Sequence, residues 1–268
     1  MKLPLSPASS LEMKRMIWRA YRTSKLLGMI AALAVGMSSQ AFSQTAPGAS
    51  IQVSGTDLNS WNGTLTSGAP DKTVGDPLGD GSSSLTIFTL NLNLDPEIFD
   101  NFGATNNTST IQNYTLTVTL PLTGSDILQP GQYTVVSSIF GTVTNGSGGT
   151  SNLEVSPPTG GAIMESSVGT QTAGVDLITA PLVFNSVAAH SSQSLFPNPN
   201  GPMSEAPLSL TTTANAISVT TTFTLSPGTS TAFTYDFAVN EVPEPSAYAL
   251  VMSGVCFLIL VARLRRRI

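Results

Sequence analysis

Between residues 114 and 122 every second side chain is large and apolar. Tyr114, Leu116, Val118, Leu120 and Leu122 alternate with Thr115, Thr117, Thr119 and Pro121. A helix would scatter these groups round its axis. A strand puts them all on one side, because its successive side chains point to opposite faces. The pattern predicts a strand with one face in a core and a threonine-lined face toward water. Pro121 lacks an N–H and belongs at an edge or a strand end. The same period returns late in the chain, in Ile217, Val219, Thr221, Phe223 and Leu225, then in Phe233, Tyr235, Phe237 and Val239. Ser226-Pro227-Gly228-Thr229 separates the two runs, and the spacing predicts an antiparallel hairpin there.

Weaker runs extend the pattern. Ile51-Gln52-Val53 opens a first strand, and residues 85–94 give another, with Leu90, Leu92 and Leu94 alternating with Asn91 and Asn93. Residues 132–144 read as one or two strands with Gly141 as a bulge. Shorter apolar stretches lie at 153–155, 162–168 and 174–184. Trp61-Asn62-Gly63-Thr64 carries a turn signal, as does Asp95-Pro96-Glu97, after which a polar loop is expected through Asn107. Residues 69–84 and 189–207, rich in Ser, Pro, Gly, Asp or Asn, read as loops, and 145–150 as a tight or flexible turn. Nothing between Gln44 and Val242 repeats every 3.6 residues, and the abundant Thr and Val suit a pleated surface. The expected fold is all-β, an antiparallel β-sandwich of about eight to ten strands. A closed barrel is the alternative.

The two ends are of another kind. Lys14, Arg15, Arg19, Arg22 and Lys25 precede an apolar stretch at 26–37, too short to span a bilayer. Ser39-Gln40-Ala41 and Ala41-Phe42-Ser43 follow, so Ala41 and Ser43 are the cleavage candidates of a secretory signal peptide over residues 1–43, its apolar stretch a helix. The charged leader is long, and Met13 is the expected true start. An uncleaved N-terminal anchor is the rival reading. The exported body is then residues 44–242.

At the other end Pro243-Glu244-Pro245-Ser246 precedes a run without charge, residues 247–262, and then Arg263, Arg265, Arg266 and Arg267. As a helix the run measures about 24 Å, slightly less than the roughly 20-residue span of a bilayer core. It is expected to be a C-terminal transmembrane helix, with the arginines as a cytoplasmic stop. The prolines hold the residues before them extended. In this order, the tetrapeptide, apolar run and arginine cluster resemble the PEP-CTERM protein-sorting domain. That domain marks substrates of exosortases in Gram-negative bacteria that make exopolysaccharide. The resemblance covers residues 243–268 alone. It implies recognition at Pro243, Glu244, Pro245 and Ser246 with cleavage nearby, and the secretion translocon and exosortase as partners. It implies nothing about the body. The body would be exported across the inner membrane to the envelope, surface or medium, with the tail held in that membrane.

Charge excludes some activities. Between Gln44 and Val242 Lys72 is the only cation, against fourteen Asp and Glu, leaving about −13. Such a body does not neutralise phosphates, so nucleic acid is excluded as a partner, and anionic headgroups repel it. Cys256, the only cysteine, lies in the apolar tail, so the body has no disulfide, no thiol nucleophile and no cysteine metal site. No cofactor is expected. A Ser-His-Asp triad would have to use His190, the only histidine, and no Gly-x-Ser-x-Gly elbow accompanies it; a solvated loop histidine is expected. Asp71, Asp76 and Asp80 are candidate calcium ligands, but they lack the alternation and closing Glu of an EF-hand, and turn-forming aspartates are expected instead.

With fourteen acids on a sandwich, some pair will meet glycosidase spacing by chance. Trp61, Tyr114, Tyr133 and Tyr235 are the aromatic candidates for stacking on sugars, although Tyr114 and Tyr235 fall in phase with core positions. Asn62 and Asn113 sit in N-glycosylation patterns, a reading that a bacterial origin counts against. The expectation is an exported, non-enzymatic surface or matrix protein linked to exopolysaccharide or biofilm. The alternative is a carbohydrate-binding module or a carbohydrate-active enzyme acting on exopolysaccharide. A cleft with two close carboxylates and an aromatic platform would favour the alternative; a smooth threonine-covered sandwich would favour the first.

Overall fold

A computed structural model describes residues 48–69, 71–75, 81–93, 95–173, 176–196 and 201–242, with Gly254. The signal segment with Ala41 and Ser43, the loop residues Asp76 and Asp80, the motif Pro243 to Ser246 and the arginines of the tail lie outside the described residues. The chain divides into two units, Met1–Thr45, which lies wholly outside them, and Ala46–Ile268, which holds everything below.

In chain order the strands are β1 (Gly48–Gly55), β2 (Trp61–Thr66), β3 (Lys72–Gly75), β4 (Ser83–Asn93), β5 (Glu97–Asn106), β6 (Gln112–Pro121), β7 (Gly131–Asn145), β8 (Ser151–Ser156), β9 (Met164–Val168), β10 (Gln171–Thr172), β11 (Leu182–Val187), β12 (Ser192–Ser194), β13 (Met203–Leu210), β14 (Ala216–Leu225) and β15 (Thr229–Glu241). They form two antiparallel sheets. Sheet I runs β10-β9-β14-β6-β1-β2, with β8 sharing the β9 edge of β14 and β11 beside β8. Sheet II runs β12-β7-β15-β5-β4-β3, with β13 on the same edge of β7 as β12. The chain is all-β, and the sheets lie face to face as a sandwich rather than closing into one barrel.

Alternation explains what fills the gap. Tyr114 from β6 and Phe223 from β14 meet Phe102, Phe233 and Tyr235 from β5 and β15. Tyr114 and Phe223 stack at 5.4 Å, while Phe233 lies edge-on to Phe223 at 5.1 Å. All five side chains are buried. Such rings remove large apolar areas from water and lock the two sheets in register.

Several expectations are corrected. The described residues hold fifteen strands, in part because β3 and β12 are short pieces inside stretches whose composition reads as loop. β3 lies within 69–84, and β12 and part of β13 within 189–207. The polar stretch to Asn107 is β5, a central strand of sheet II. Its buried face carries Asp100 and Asn106 among Ile98, Phe102 and Ala104, so its apolar period is broken. Trp61-Asn62-Gly63-Thr64 is not a turn but the start of β2. There the indole folds over Gly63, where a Cβ would come 2.5 Å from the ring. The β7–β15 register runs unbroken through Gly141, so no bulge lies there. The bulge is in β4, between Ile87 and Thr89.

The largest correction concerns residues 217–239. β14 and β15 do not pair. β14 belongs to sheet I and β15 to sheet II, and the Ser226–Thr229 turn carries the chain across the sandwich. Both runs bury one face, which a hairpin and a face-to-face stack satisfy equally. Backbone pairing is settled elsewhere, by the longer ladders to β6, β5 and β7.

Two further crossings meet this turn. Asn106 ends β5 and Asn145 ends β7, and Thr229 is paired with both. Each asparagine holds its own loop in the same way. The Asn106 carboxamide donates to the carbonyls of Thr110, Leu225 and Ser226 and accepts from the Thr108 N–H and hydroxyl. That of Asn145 donates to Gly149, Val187 and Ala188 and accepts from the Ser147 N–H and hydroxyl. Side chains thus satisfy buried backbone groups that the crossings take out of the ladders.

Candidate functional site

The two outer faces differ in kind. On sheet I the outward residues of β1, β6 and β14 are Ser50, Gln52 and Ser54, Thr115, Thr117 and Thr119, and Ser218, Thr220, Thr222 and Thr224. Thr117 and Thr220 meet at 3.1 Å and Ser167 and Ser218 at 2.8 Å across the strands. Several of these hydroxyls bond to one another, and β1, β6 and β14 turn no large apolar group outward; Val183 of β11, beyond β8, is the exposed one on this sheet among the described residues. This is the threonine-covered surface that the alternation predicts.

Sheet II exposes large apolar groups instead. Phe88 is 43% exposed, Phe140 37% and Met203 64%. They come from β4, β7 and β13, and the partly buried Phe99 of β5 lies on the same outward face. The bulge places Phe88 there. It lets Phe88 and Thr89 both face solvent and brings Leu90 and Leu92 back into the core after Leu85 and Ile87. The sequence carries this signal as a slip in phase, from apolar odd positions to apolar even ones.

Cross-strand register builds a trough beside Phe88. Ser84, Thr105, Ser230 and Thr144 form one row across β4, β5, β15 and β7. Thr86, Gly103, Ala232 and Thr142 form the next. Of the two small residues at the centre of that second row, Gly103 takes the Phe88 ring and Ala232 leaves a floor between hydroxyl walls. The resulting cavity is about 220 Å³ and is lined by both rows and by Phe88. Phe88 lies directly on Gly103, where a Cβ would come within 2.9 Å of the ring. None of the lining residues is charged.

A second shallow cavity, about 250 Å³, lies further along the same face between Asn91, Leu92, Asn93, Glu97 and Phe99. Asp236 is paired with Phe99. Its carboxyl is pushed up by burial and then by the negative charge of Glu97, and one of its oxygens has no hydrogen bond. The face is therefore neutral and hydroxyl-rich at one end and acidic at the other.

A third polar group is sealed inside. Asp100 is fully buried and faces Tyr235 across the β5–β15 ladder. Burial pushes its carboxyl up to about 7, and the nearby phenol only partly offsets this. No well-formed hydrogen bond reaches either carboxylate oxygen or the phenol oxygen. Burial, followed by the Asp100 charge, pushes the Tyr235 hydroxyl well above its ordinary value. No ligand reaches this pair, so it bears on stability.

Of the residues singled out above, Tyr114, Tyr133 and Tyr235 are buried and offer no stacking surface. Trp61 is half-buried at the edge of sheet I, with the Lys72 ammonium 4.8 Å from its ring centroid. That contact ties β2 of one sheet to β3 of the other. His190 is exposed in the turn before β12, and Asp71 is exposed before β3. Among the described residues no three His, Cys, Asp or Glu side chains are placed to hold a metal ion. Asn62 and Asn113 are exposed.

No family model matches the chain, and no curated protein matches it. Among solved structures it is similar to TmCBM61 in complex with β-1,4-galactotriose, at 12% identity over 65% of this chain and 90% of that one, with a TM-score of 0.24. A likeness at that score carries no argument about function.

Proposed function

We propose that this chain is an exported, non-enzymatic component of the cell surface or extracellular matrix, routed by its C-terminal tail to exosortase processing and then released. The observation that supports this reading is where the fold stops. β15 extends to Glu241, and the Val242 N–H still donates to the Gln132 carbonyl at 3.0 Å. Pro243, the next residue, opens the sorting motif, so no stalk separates sandwich and tail. A body of about −13 would then be held against an anionic membrane for as long as the tail stayed intact. That arrangement suits a transient tether. The sheet I surface fits the same role, since its hydroxyls, several of them paired with one another, leave a water-compatible covering.

Mass spectrometry of the mature protein from envelope and medium tests the reading. The expected C-terminus lies near Pro243 to Ser246, and Arg263, Arg265, Arg266 and Arg267 are gone. Recovery of an intact arginine-rich end in the exported fraction refutes processing. A second reading, a carbohydrate-binding surface, is favoured by one observation, the neutral trough under Phe88.

A further inference from the structure

We infer that the trough on the outer face of sheet II binds a neutral polysaccharide, with Phe88 as the stacking platform and the flanking hydroxyls as the polar contacts; this rests on the second reading above. Three features of the site lead there. First, Phe88 is an exposed ring whose lower side is supported. It rests on Gly103, where a Cβ would come within 2.9 Å, and its position is set by the β4 bulge. A supported ring presents a fixed apolar face at little cost in entropy. The C–H-rich face of a pyranose is the partner such a ring suits.

Second, the polar groups round the ring are hydroxyls held by strand register. Ser84, Thr105, Ser230 and Thr144 stand in one row at the spacing of neighbouring strands, about 4.8 Å. Each hydroxyl both donates and accepts, as sugar hydroxyls do, although that of Thr144 already shares one hydrogen bond with Ser192. A pyranose chain advances by a similar distance per residue, so a chain lying across the strands meets the row repeatedly. Gly103 makes room for the ring itself, and Ala232 beside it keeps the floor low enough for the chain to lie flat.

Third, charge selects among ligands. The trough lining has no ionisable group, yet the body around it carries about −13. An anionic polysaccharide would be repelled with nothing local to compensate. A second copy of the chain, equally acidic, would be repelled as well. A neutral glycan meets neither obstacle.

The test uses the full chain in a non-ionic detergent without a sugar headgroup. Its mobility is measured in native gels cast with hydroxyethyl cellulose, a neutral mannan, a neutral galactan or alginate. Retardation in at least one neutral gel and none in alginate is expected. Phe88→Ala and Ala232→Gln, which remove the ring and raise the floor, are each expected to weaken retardation by about tenfold. Ile111→Ala, on the loop between β5 and β6, is expected to leave it unchanged. Hydrogen exchange of the wild-type chain with the retarding glycan gives a readout that needs no variant. Protection should fall on β4, β5, β15 and β7. No retardation in any neutral gel, equal retardation in alginate, retention in both trough variants, or protection confined to other strands each overturns the proposal.

Discussion

Raising the pH forces a proton off Asp100, and the fold must either hold a bare carboxylate in its core or give way. Asp100 is fully buried between Leu90 and Tyr235 in the ladder, and no well-formed hydrogen bond reaches either oxygen. Its carboxyl titrates at about 7 in the fold, against an ordinary 3.8. The folded value lies above the unfolded one. Through the window between them the folded chain holds a proton that the unfolded chain has lost. The stability that Asp100 contributes is therefore fully present below about pH 4, is lost as pH rises, and levels off above about pH 7. At 1.36 kcal/mol per tenfold change in proton affinity, that gap amounts to about 4 kcal/mol. Water entry and relaxation reduce it, so this is an upper bound. Asp100→Asn has nearly the same shape and does not ionise. Urea unfolding followed by circular dichroism should show the two proteins converging near about pH 4. The variant should be more stable by about 2–4 kcal/mol near pH 8. Asp236, whose carboxyl is also raised, is present in both proteins and cancels in the comparison. Parallel pH profiles for wild type and variant would refute the reasoning.

Two other substitutions test the core and the crossings. Asn145→Ala removes the partner of the buried Val187 carbonyl and of the Ser147 N–H, while the carbonyls of Gly149 and Ala188 keep Ser147 and Ser191 as donors. At about 1–3 kcal/mol for each of these two groups left unpaired, partly repaired by water, the expected loss is about 2–4 kcal/mol of unfolding free energy. Asn145→Asp, equal in size but unable to donate, should lose nearly as much; a loss under about 1 kcal/mol in both would show that the crossing is held some other way. Phe223→Ala empties the contact with Tyr114, Phe102 and Phe233, and thermal or urea unfolding should register about 3–5 kcal/mol.

Much of the fold was legible in particular residues. Tyr114 to Leu120, Ile217 to Leu225 and Phe233 to Val239 point inward at the alternate positions expected, and Thr115, Thr117 and Thr119 line the outer face. β5 was not legible, because Asp100 and Asn106 occupy buried positions that an apolar count scores as loop. The trough left only traces, a phase slip at Phe88 and two small residues far apart in the chain, Gly103 and Ala232. Their adjacency exists only once β5 and β15 are paired.

By itself the sequence determined which side chains are buried where the apolar period is unbroken, as in β6, β14 and β15, and the acidity of the body. These are local properties, carried by a period of two and by runs of charge and apolarity. The tertiary structure alone decided the partners. Residues 217–225 and 233–239 are neighbours in the chain, yet they stand in opposite sheets, with Asn106 and Asn145 bonding the crossings around Thr229. Alternation specifies a buried face but not the strand beside it. Backbone hydrogen bonds look alike along every strand, so the choice among ladders falls to contacts that only the folded sandwich assembles.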